Sequence, residues 1–569
     1  MGSVPGSLGP RQRTADLERL ASEEFDVLVV GGGVTGVGCA LDAVTRGLSV
    51  ALIEQRDLAS GTSSRSSKLL HGGLRYLEQR DFGLVREALH ERGLLMSRIC
   101  PHLVRPVSFL IPLTHRVWQR LYYGAGVLLY DILALGRRNS LPRHRHLSRR
   151  GALALMPGLK RSSLVGGIVY HDAQVDDARH TLAVARTAAR HGAAIVTSAR
   201  LDDLVIEDDV VRGARVIDVE TGDKIEVRAR KTINATGVWI DAVQDLAGPS
   251  GLKVKAAKGV HIVVPRACIE GDTGVVLRTP SSVLFIIPWN RHWLVGTTDT
   301  KYELALAHPA ASSADIDYIL DHANEALQRP LTRDDIVGVY AGLRPLIEGD
   351  ADDTARLSRE HAVAQPVSGL ISIAGGKYTT YRVMAADAVD MAAEGLGRSV
   401  PPSITAEIEL LGAGQWDQWA TAAPRIAHDH HLPVELVERL LKRHGSRIGD
   451  VLAIAAEGSA LSEPLAQTDY LTAEVVHSAR HEGALHLDDL LARRMRISIE
   501  NEERGLLVAE RVAQLMADEL GWSDQQRDDE VASWQRRIAA ERAANQAPDD
   551  QAADEARRAA TDARGLLDA

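Results

Sequence analysis

Cysteine is scarce: Cys39, Cys100 and Cys268 are the three in 569 residues, far apart and in no CxxC pair. The chain has no disulfide framework or cysteine zinc site to draw on, which fits a reducing compartment. Long apolar runs are missing as well. No stretch reaches the roughly eighteen apolar residues that suggest a membrane span, so any membrane contact is expected to be peripheral. Residues 1–13 contain Gly, Pro and Ser but no apolar segment of the kind a secretory signal needs. Positive charge falls short of negative, with 66 Lys and Arg against 76 Asp and Glu, and the net charge of -10 argues against a general nucleic-acid binder. No internal repeat occurs, and low complexity is confined to the C-terminal tail.

What is present suits a large soluble protein of several domains, with 45% hydrophobic and 25% charged residues. The densest signal is residues 25–54, FDVLVVGGGVTGVGCALDAVTRGLSVALIE. Val27, Leu28, Val29 and Val30 form an apolar run expected of a strand buried on both faces. Gly31, Gly33 and Gly36 follow in GxGxxG spacing, with Val34 and Thr35 opening a helix. A second strand ends on Glu54 and Gln55. This βαβ unit binds a dinucleotide: Gly31 permits the turn, Gly33 lets the pyrophosphate approach, and Gly36 lets the helix pack close. The helix start offers N–H groups to phosphate, and Glu54 accepts from ribose hydroxyls, which disfavours NADP. FAD and NAD both remain open on this stretch.

Residues 57–68 carry hydroxyls beside the expected pyrophosphate. Thr62, Ser63 and Ser64 can donate to phosphate, and Lys68 can balance its charge. Leu69 leads into His71, Gly72, Gly73, Leu74, Arg75 and Tyr76, dense in donors. Residues 118–135 are aromatic, aliphatic and flanked by arginines. They read either as a pair of core helices or as an interfacial helix dipping into an anionic bilayer. Residues 204–211 and 214–220 look like a hairpin. Ala235, Thr236 and Gly237 end a strand and offer a second contact to the dinucleotide, as do Gly375, Gly376, Lys377 and Thr379 further on. Between them lies a β-rich lobe, roughly residues 100–165 and 240–345, containing His261 and Arg344. The expected division is a disordered or loosely helical leader (1–23), a cofactor domain with that lobe interleaved (24–400), a helical domain (401–522) and a charged tail made of an exposed helix and a frayed end (523–569). Arg493, Arg494 and Arg496 read first as a charged helix face, with a partner site as the alternative.

Taken together these motifs resemble the FAD-dependent, quinone-linked glycerol-3-phosphate dehydrogenases of aerobic metabolism. The carrying segments are GGGVTG (31–36), DLASGTSSRSSKLLHGGLRYLE (57–78), VDDAR (175–179) and NATGVW (234–239). KGVHIVVPR (258–266), VGTTD (295–299), AGLRPL (341–346) and GGKYTTYR (375–382) complete the series. The resemblance selects FAD over NAD. It implies an α/β fold with a Rossmann-like FAD domain of the D-amino-acid-oxidase/glutathione-reductase type, a β-rich substrate lobe and an all-α C-terminal domain. It implies oxidation of glycerol 3-phosphate to dihydroxyacetone phosphate, with hydride passing to flavin N5 and electrons to a membrane quinone. A cytoplasmic protein on the inner face of the plasma membrane follows, and a homodimer is left open. By motif matching, Arg75, Tyr76, Arg344, Arg359 and Lys377 hold the substrate, and residues beyond about 521 extend past the typical bacterial enzyme.

The chemistry expected is anion capture. A phosphate monoester carries about -2 charge near pH 7, and guanidinium forks bind it better than isolated point charges. Arg75, Arg344, Arg359 and Lys377 would supply that charge. Hydride departure needs a base for the hydroxyl proton. His261 is the first candidate, with an Arg344-assisted water route and His71 behind it, and Lys377 is placed near flavin N1. The rival readings are an oxidase that passes electrons to oxygen and a non-catalytic flavin-dependent sensor or scaffold.

Overall fold

The computed structural model describes residues 4–78, 80–134, 141–248, 251–279, 283–348 and 360–566. Val27, Leu28 and Val29 are fully buried, as a strand covered on both faces must be. Their strand, Glu24–Val30, lies between Lys224–Asn234 and Val50–Glu54, parallel to both. Ala194–Thr197 extends the sheet beyond Val50–Glu54, and Leu370–Gly375 extends it beyond Lys224–Asn234, again in parallel. The helix Val34–Thr45 packs against helices Asp177–Arg190 and Tyr381–Glu394 on one face of this sheet. Its small buried residues Gly36, Cys39, Ala40 and Ala43 allow that close approach.

A second, mostly antiparallel sheet forms the lobe. Its central run is Val254–Pro265, His292–Gly296, Val283–Trp289, Gly274–Arg278, Val104–Leu113 and Gly166–Val175. Gly338–Ile347 pairs with Val254–Pro265 along its length. The lobe therefore draws on Gly166–Val175 and Leu69–Leu70, both outside the segments 100–165 and 240–345.

Five further sequence expectations need correction. The leader holds a helix, Pro10–Ser22, with Leu20 fully buried and Arg13 paired to Asp218 at 2.6 Å. The hairpin turns at Asp208 and Asp209, both at positive φ, not at Gly213. Gly213 instead lies opposite Arg228, where a Cβ would strike the Val227 carbonyl. Arg493, Arg494 and Arg496 are buried rather than a solvated face. Arg494 forms a two-bond fork to Asp57, 2.8 Å each, Arg493 Nε donates to Asp57 at 2.5 Å, and Arg496 holds Asp176 and Asp177. Against the cost of burial, Arg496 keeps the Asp176 carboxyl at about 2. The Asp57 pairs fasten the C-terminal helices to the loop that follows Glu54, and the Arg496 pairs fasten them to the start of helix Asp177–Arg190.

The fourth correction concerns the tail. Helix Asp524–Gln546 inserts Trp534 and Ile538 into the core of the preceding helices, one turn apart on the same face. Helix Asp550–Arg558 packs Ala553 against Ala310 and Ala544. Beyond it, Asp562 accepts from Arg56 Nε at 2.9 Å, and Arg564 forks onto Asp489 at 3.0 and 2.9 Å.

The described part of residues 118–135 forms one helix, Trp118–Leu133, rather than a pair; residue 135 lies outside the described residues. Gly124, Val127 and Tyr130 face inward, while Val117, Trp118, Leu121, Tyr122, Leu128 and Ile132 are exposed. No helix among the described residues is long and apolar enough to cross a membrane.

Candidate active site

The strands Glu24–Val30, Val50–Glu54, Lys224–Asn234 and Leu370–Gly375 all deliver their carboxyl ends to one cavity of about 520 Å³. Ligands bind in α/β folds at such strand ends, and cofactor pockets measure roughly 300–1,000 Å³. Gly31 turns the chain at φ 112°, and Gly36 approaches it so closely that a Cβ would overlap the Gly31 carbonyl. Val34 opens the helix and donates its N–H to Ser63 Oγ at 2.9 Å. Glu54 is buried and accepts from the N–H groups of Gly32 and Arg56 at 2.7 and 2.8 Å. Burial raises its pKa, and those two N–H groups oppose the rise.

Gly31, Gly33, Val34, Thr35, Glu54, Gln55, Thr62, Ser63, Leu69 and His71 line the cavity, as do Ala235, Thr236, Gly237, Gly375, Gly376, Lys377 and Thr379. The donor set fits FAD: a glycine turn at a helix start, hydroxyls beside it and a carboxylate at the next strand tip. Thr62 Oγ1 also ties the cofactor loop to the lobe through the Leu343 carbonyl at 2.6 Å.

Five of the expected cofactor contacts do not line the cavity. Gly36 acts in packing. Ser64 turns its hydroxyl to the Gly61 carbonyl at 3.4 Å. Lys68 is wholly buried and paired to Asp177 at 2.9 Å, so its charge is spent inside the protein rather than on a phosphate. Gly72 and Gly73 shape the wall from behind. The Gly72 carbonyl accepts from Lys377 Nζ at 3.1 Å, and the Gly73 position leaves room for the Tyr76 ring.

The basic wall is built by strand register. Arg344, Gly342 and Tyr340 stand opposite Ala257, Gly259 and His261, so alternate residues of both strands share one face. Arg344 Nη1 lies 3.2 Å from Asp299 Oδ1, and Nη2 donates to Thr297 Oγ1 and the Thr298 carbonyl, 3.1 Å each. The glycine at 259 makes room for it, because a Cβ there would sit 2.7 Å from Thr297 Oγ1 and nearer still to Arg344 Nη2. Lys377 Nζ lies 3.7 Å from the centre of the Tyr76 ring. Tyr76, His261, Arg344 and Lys377 thus line the same cavity as the glycine turn. Arg75 belongs to the short helix Leu74–Glu78, but its side chain lies outside the described residues, as does Arg359 altogether.

His261 Nε2 is 2.9 Å from Ser67 Oγ, its ring stacks on Tyr340 at 4.9 Å, and Nδ1 is buried without a partner among the described residues. Burial, then Arg344 and Lys68, push its pKa well below 6.5, so the ring is neutral at working pH. His71 also lines the cavity, with its N–H on Thr379 Oγ1 at 3.2 Å. Sequence reasoning missed Ser67, Tyr340 and Arg65. Tyr340 follows from strand alternation with Arg344; the other two need the fold.

Comparisons with known proteins identify the family and the fold. A family described as "FAD dependent oxidoreductase" matches residues 26–382, and "C-terminal domain of alpha-glycerophosphate oxidase" matches 403–527. A glycerol-3-phosphate dehydrogenase of Mycobacterium leprae (strain TN) is 55% identical over 98% of this chain and 95% of its own. The mitochondrial glycerol-3-phosphate dehydrogenase of Bos taurus is 38% identical over 93% of this chain and 75% of its own. The crystal structure of glycerol-3-phosphate dehydrogenase from Bacillus halodurans complexed with FAD superposes with a TM-score of 0.78 at 29% identity, over 93% of this chain and 97% of that one.

Proposed function

The chain belongs to the FAD-dependent glycerol-3-phosphate dehydrogenase family, and from that premise we propose how its residues divide the reaction and where the electrons go. It oxidises glycerol 3-phosphate with FAD as cofactor. The observation that carries the division of roles is the shared wall: Tyr76, His261, Arg344 and Lys377 line the cavity that also holds the glycine turn and Glu54. When bound, FAD supplies the hydride acceptor.

Arg344 and Lys377 receive the substrate phosphate. Arg344 is held in place by Asp299, Thr297 and Thr298, so little side-chain freedom is lost on binding. Lys377, fixed between the Gly72 carbonyl and the Tyr76 ring, adds a second positive charge. Arg75 and Arg359 complete the anion site by resemblance. His261 takes the hydroxyl proton at Nε2, the nitrogen beside Ser67 Oγ. Being neutral, it is free to accept, but burial and Arg344 disfavour its cation and weaken it as a base, so the proton must be passed on as it arrives. Arg344→Ala should raise the Michaelis constant for glycerol 3-phosphate at least about tenfold, as the loss of a charged hydrogen bond predicts; an unchanged constant would refute the assignment.

The electron acceptor we propose is a membrane quinone, reached by docking on the cytoplasmic face of the membrane. The exposed apolar row of helix Trp118–Leu133 supports this, with Leu121 69% and Leu128 51% exposed. Substrate should drive reduction of a soluble quinone analogue without matching oxygen uptake; stoichiometric oxygen uptake would make the protein an oxidase. The protein should sediment with anionic vesicles at low salt, and Leu121→Glu with Leu128→Glu should abolish it. Equal sedimentation of that double variant would remove the helix from the docking surface.

A further inference from the structure

A second, smaller cavity of about 70 Å³ lies where the tail meets the body, adjoining the larger one through Arg65. Its lining is lopsided in charge. Arg65 comes from the loop after Glu54, Arg504 from the helical domain, and Arg537 and Arg557 from the tail, against the single carboxylate of Glu541. Arg537 is already satisfied by Asp488 and by Glu541, the latter at 2.9 Å. Glu541 is then shared, at 3.5 Å from Arg504 Nη1 and 4.0 Å from Arg557 Nε. Burial resists its charge, but Arg537, Arg557 and Arg504 hold it ionised at about 2, so it cannot offset all three.

Arg557 shows the deficit most sharply. It is 3% exposed, Nη1 donates to the Ala560 carbonyl at 2.9 Å, and Nη2 is buried with no hydrogen-bond partner among the described residues. A buried guanidinium nitrogen without a partner is costly, and native proteins rarely leave one. The Arg65 guanidinium has no hydrogen-bond or ion-pair partner among the described residues; its backbone N–H donates to the Thr62 carbonyl at 3.0 Å. Its pKa is pushed down to about 9, by burial first and then by Arg537. Arg504 is likewise lowered by burial. His308, beside them, is held neutral and adds no compensation.

We propose that this pocket binds a small oxyanion of the phosphate class, held by Arg557 Nη2, Arg65 and Arg504. The size suits a free tetrahedral ion better than a phosphate ester. Guanidinium forks facing one small space are the chemistry such an ion selects. The site joins three parts of the chain, and Arg537, Glu541, Asn545 and Arg557 all lie beyond residue 527, where the match to the C-terminal family ends. Arg65 also lines the cofactor cavity. Filling the pocket therefore fastens the tail to the cofactor loop and fixes one wall of the larger cavity.

The test uses the full-length, FAD-loaded protein. Thermal unfolding is followed during titration with inorganic phosphate, with sodium chloride matched for ionic strength. The expected result is a saturable rise in Tm beyond the chloride control. It should persist in Arg344→Ala, which cripples the substrate phosphate site. Arg557→Gln and Arg504→Gln should each weaken the apparent phosphate affinity at least about tenfold. Without phosphate, Arg557→Gln should unfold no earlier than the parent, because it removes an uncompensated buried charge. Glycerol 3-phosphate forms a second arm in the Arg344→Ala background. An Arg557-dependent shift with the ester alone would keep the site and make the substrate's phosphate its source. No shift beyond chloride, or a full shift in both arginine variants, would overturn the proposal.

Discussion

Replacing Gly259 with alanine leaves every charge in place and moves only Arg344. The new Cβ would stand 2.7 Å from Thr297 Oγ1 and closer to Arg344 Nη2. Real Cβ atoms do not approach so closely, so the guanidinium must swing out and surrender its 3.1 Å bonds to Thr297 Oγ1 and the Thr298 carbonyl. A hydrogen bond to a charged group is worth about 1.5–3 kcal/mol, which predicts a fall in kcat/KM of roughly 10- to 150-fold. The overpacked strand itself should lose about 1–3 kcal/mol of stability. The assay is anaerobic flavin reduction across a glycerol 3-phosphate series, with the ratio of flavin to protein absorbance confirming that cofactor is retained. Because Gly259→Ala acts through Arg344, adding it to Arg344→Ala should cost little more. Wild-type kcat/KM in Gly259→Ala, or full additivity in the double variant, would refute the reasoning.

Asp57→Asn should destabilise the protein by about 3 kcal/mol in urea denaturation, since it leaves buried Arg494 with no carboxylate at its fork and takes one of three carboxylates from Arg493; a loss below about 1 kcal/mol would mean these pairs are dispensable. His486 links the turn at Glu220 to Glu530 of the tail helix, at 3.0 and 2.6 Å. Burial and Arg564 lower its pKa, but those carboxylates prevail and raise it to about 9. A folded value above the unfolded 6.5 means the stabilisation, ~3 kcal/mol, is complete below pH 6.5 and lost as pH rises through 9. Urea midpoints should fall over that window in the parent and stay level in His486→Gln; parallel curves would contradict the linkage.

Much of the fold was legible because its signals are local. The strand Glu24–Val30, the turn at Gly31 and the acid at the tip of Val50–Glu54 all fall within about one βαβ unit. Lys68 was misplaced because its partner, Asp177, lies 109 positions away. Arg494 was misread for the same reason, with Asp57 437 positions off. Charge patterns say that a residue needs a counter-ion, not whether water or a distant carboxylate supplies it. The Trp118–Leu133 helix announced an apolar face, but its other face also carries Val127 and Tyr130, so only packing decides which one meets solvent. The tail offered a usable signal that its charge obscured: Trp534 and Ile538 at i, i+4 mark a buried stripe. In the site, Arg344 and Lys377 were reached through their glycine motifs, whereas Ser67 and Arg65 become visible only when the lobe strand at Gly342 is laid against the cofactor loop.

The central claim is that a phosphate-binding wall beside FAD selects the alcohol that is oxidised. The most direct measurement is anaerobic bleaching of the bound flavin, with glycerol 3-phosphate as substrate and glycerol and lactate as controls. The account predicts rapid, complete bleaching by glycerol 3-phosphate and none at equal concentrations of the other two. Comparable bleaching by glycerol, or an oxidised flavin that glycerol 3-phosphate leaves yellow, would contradict it.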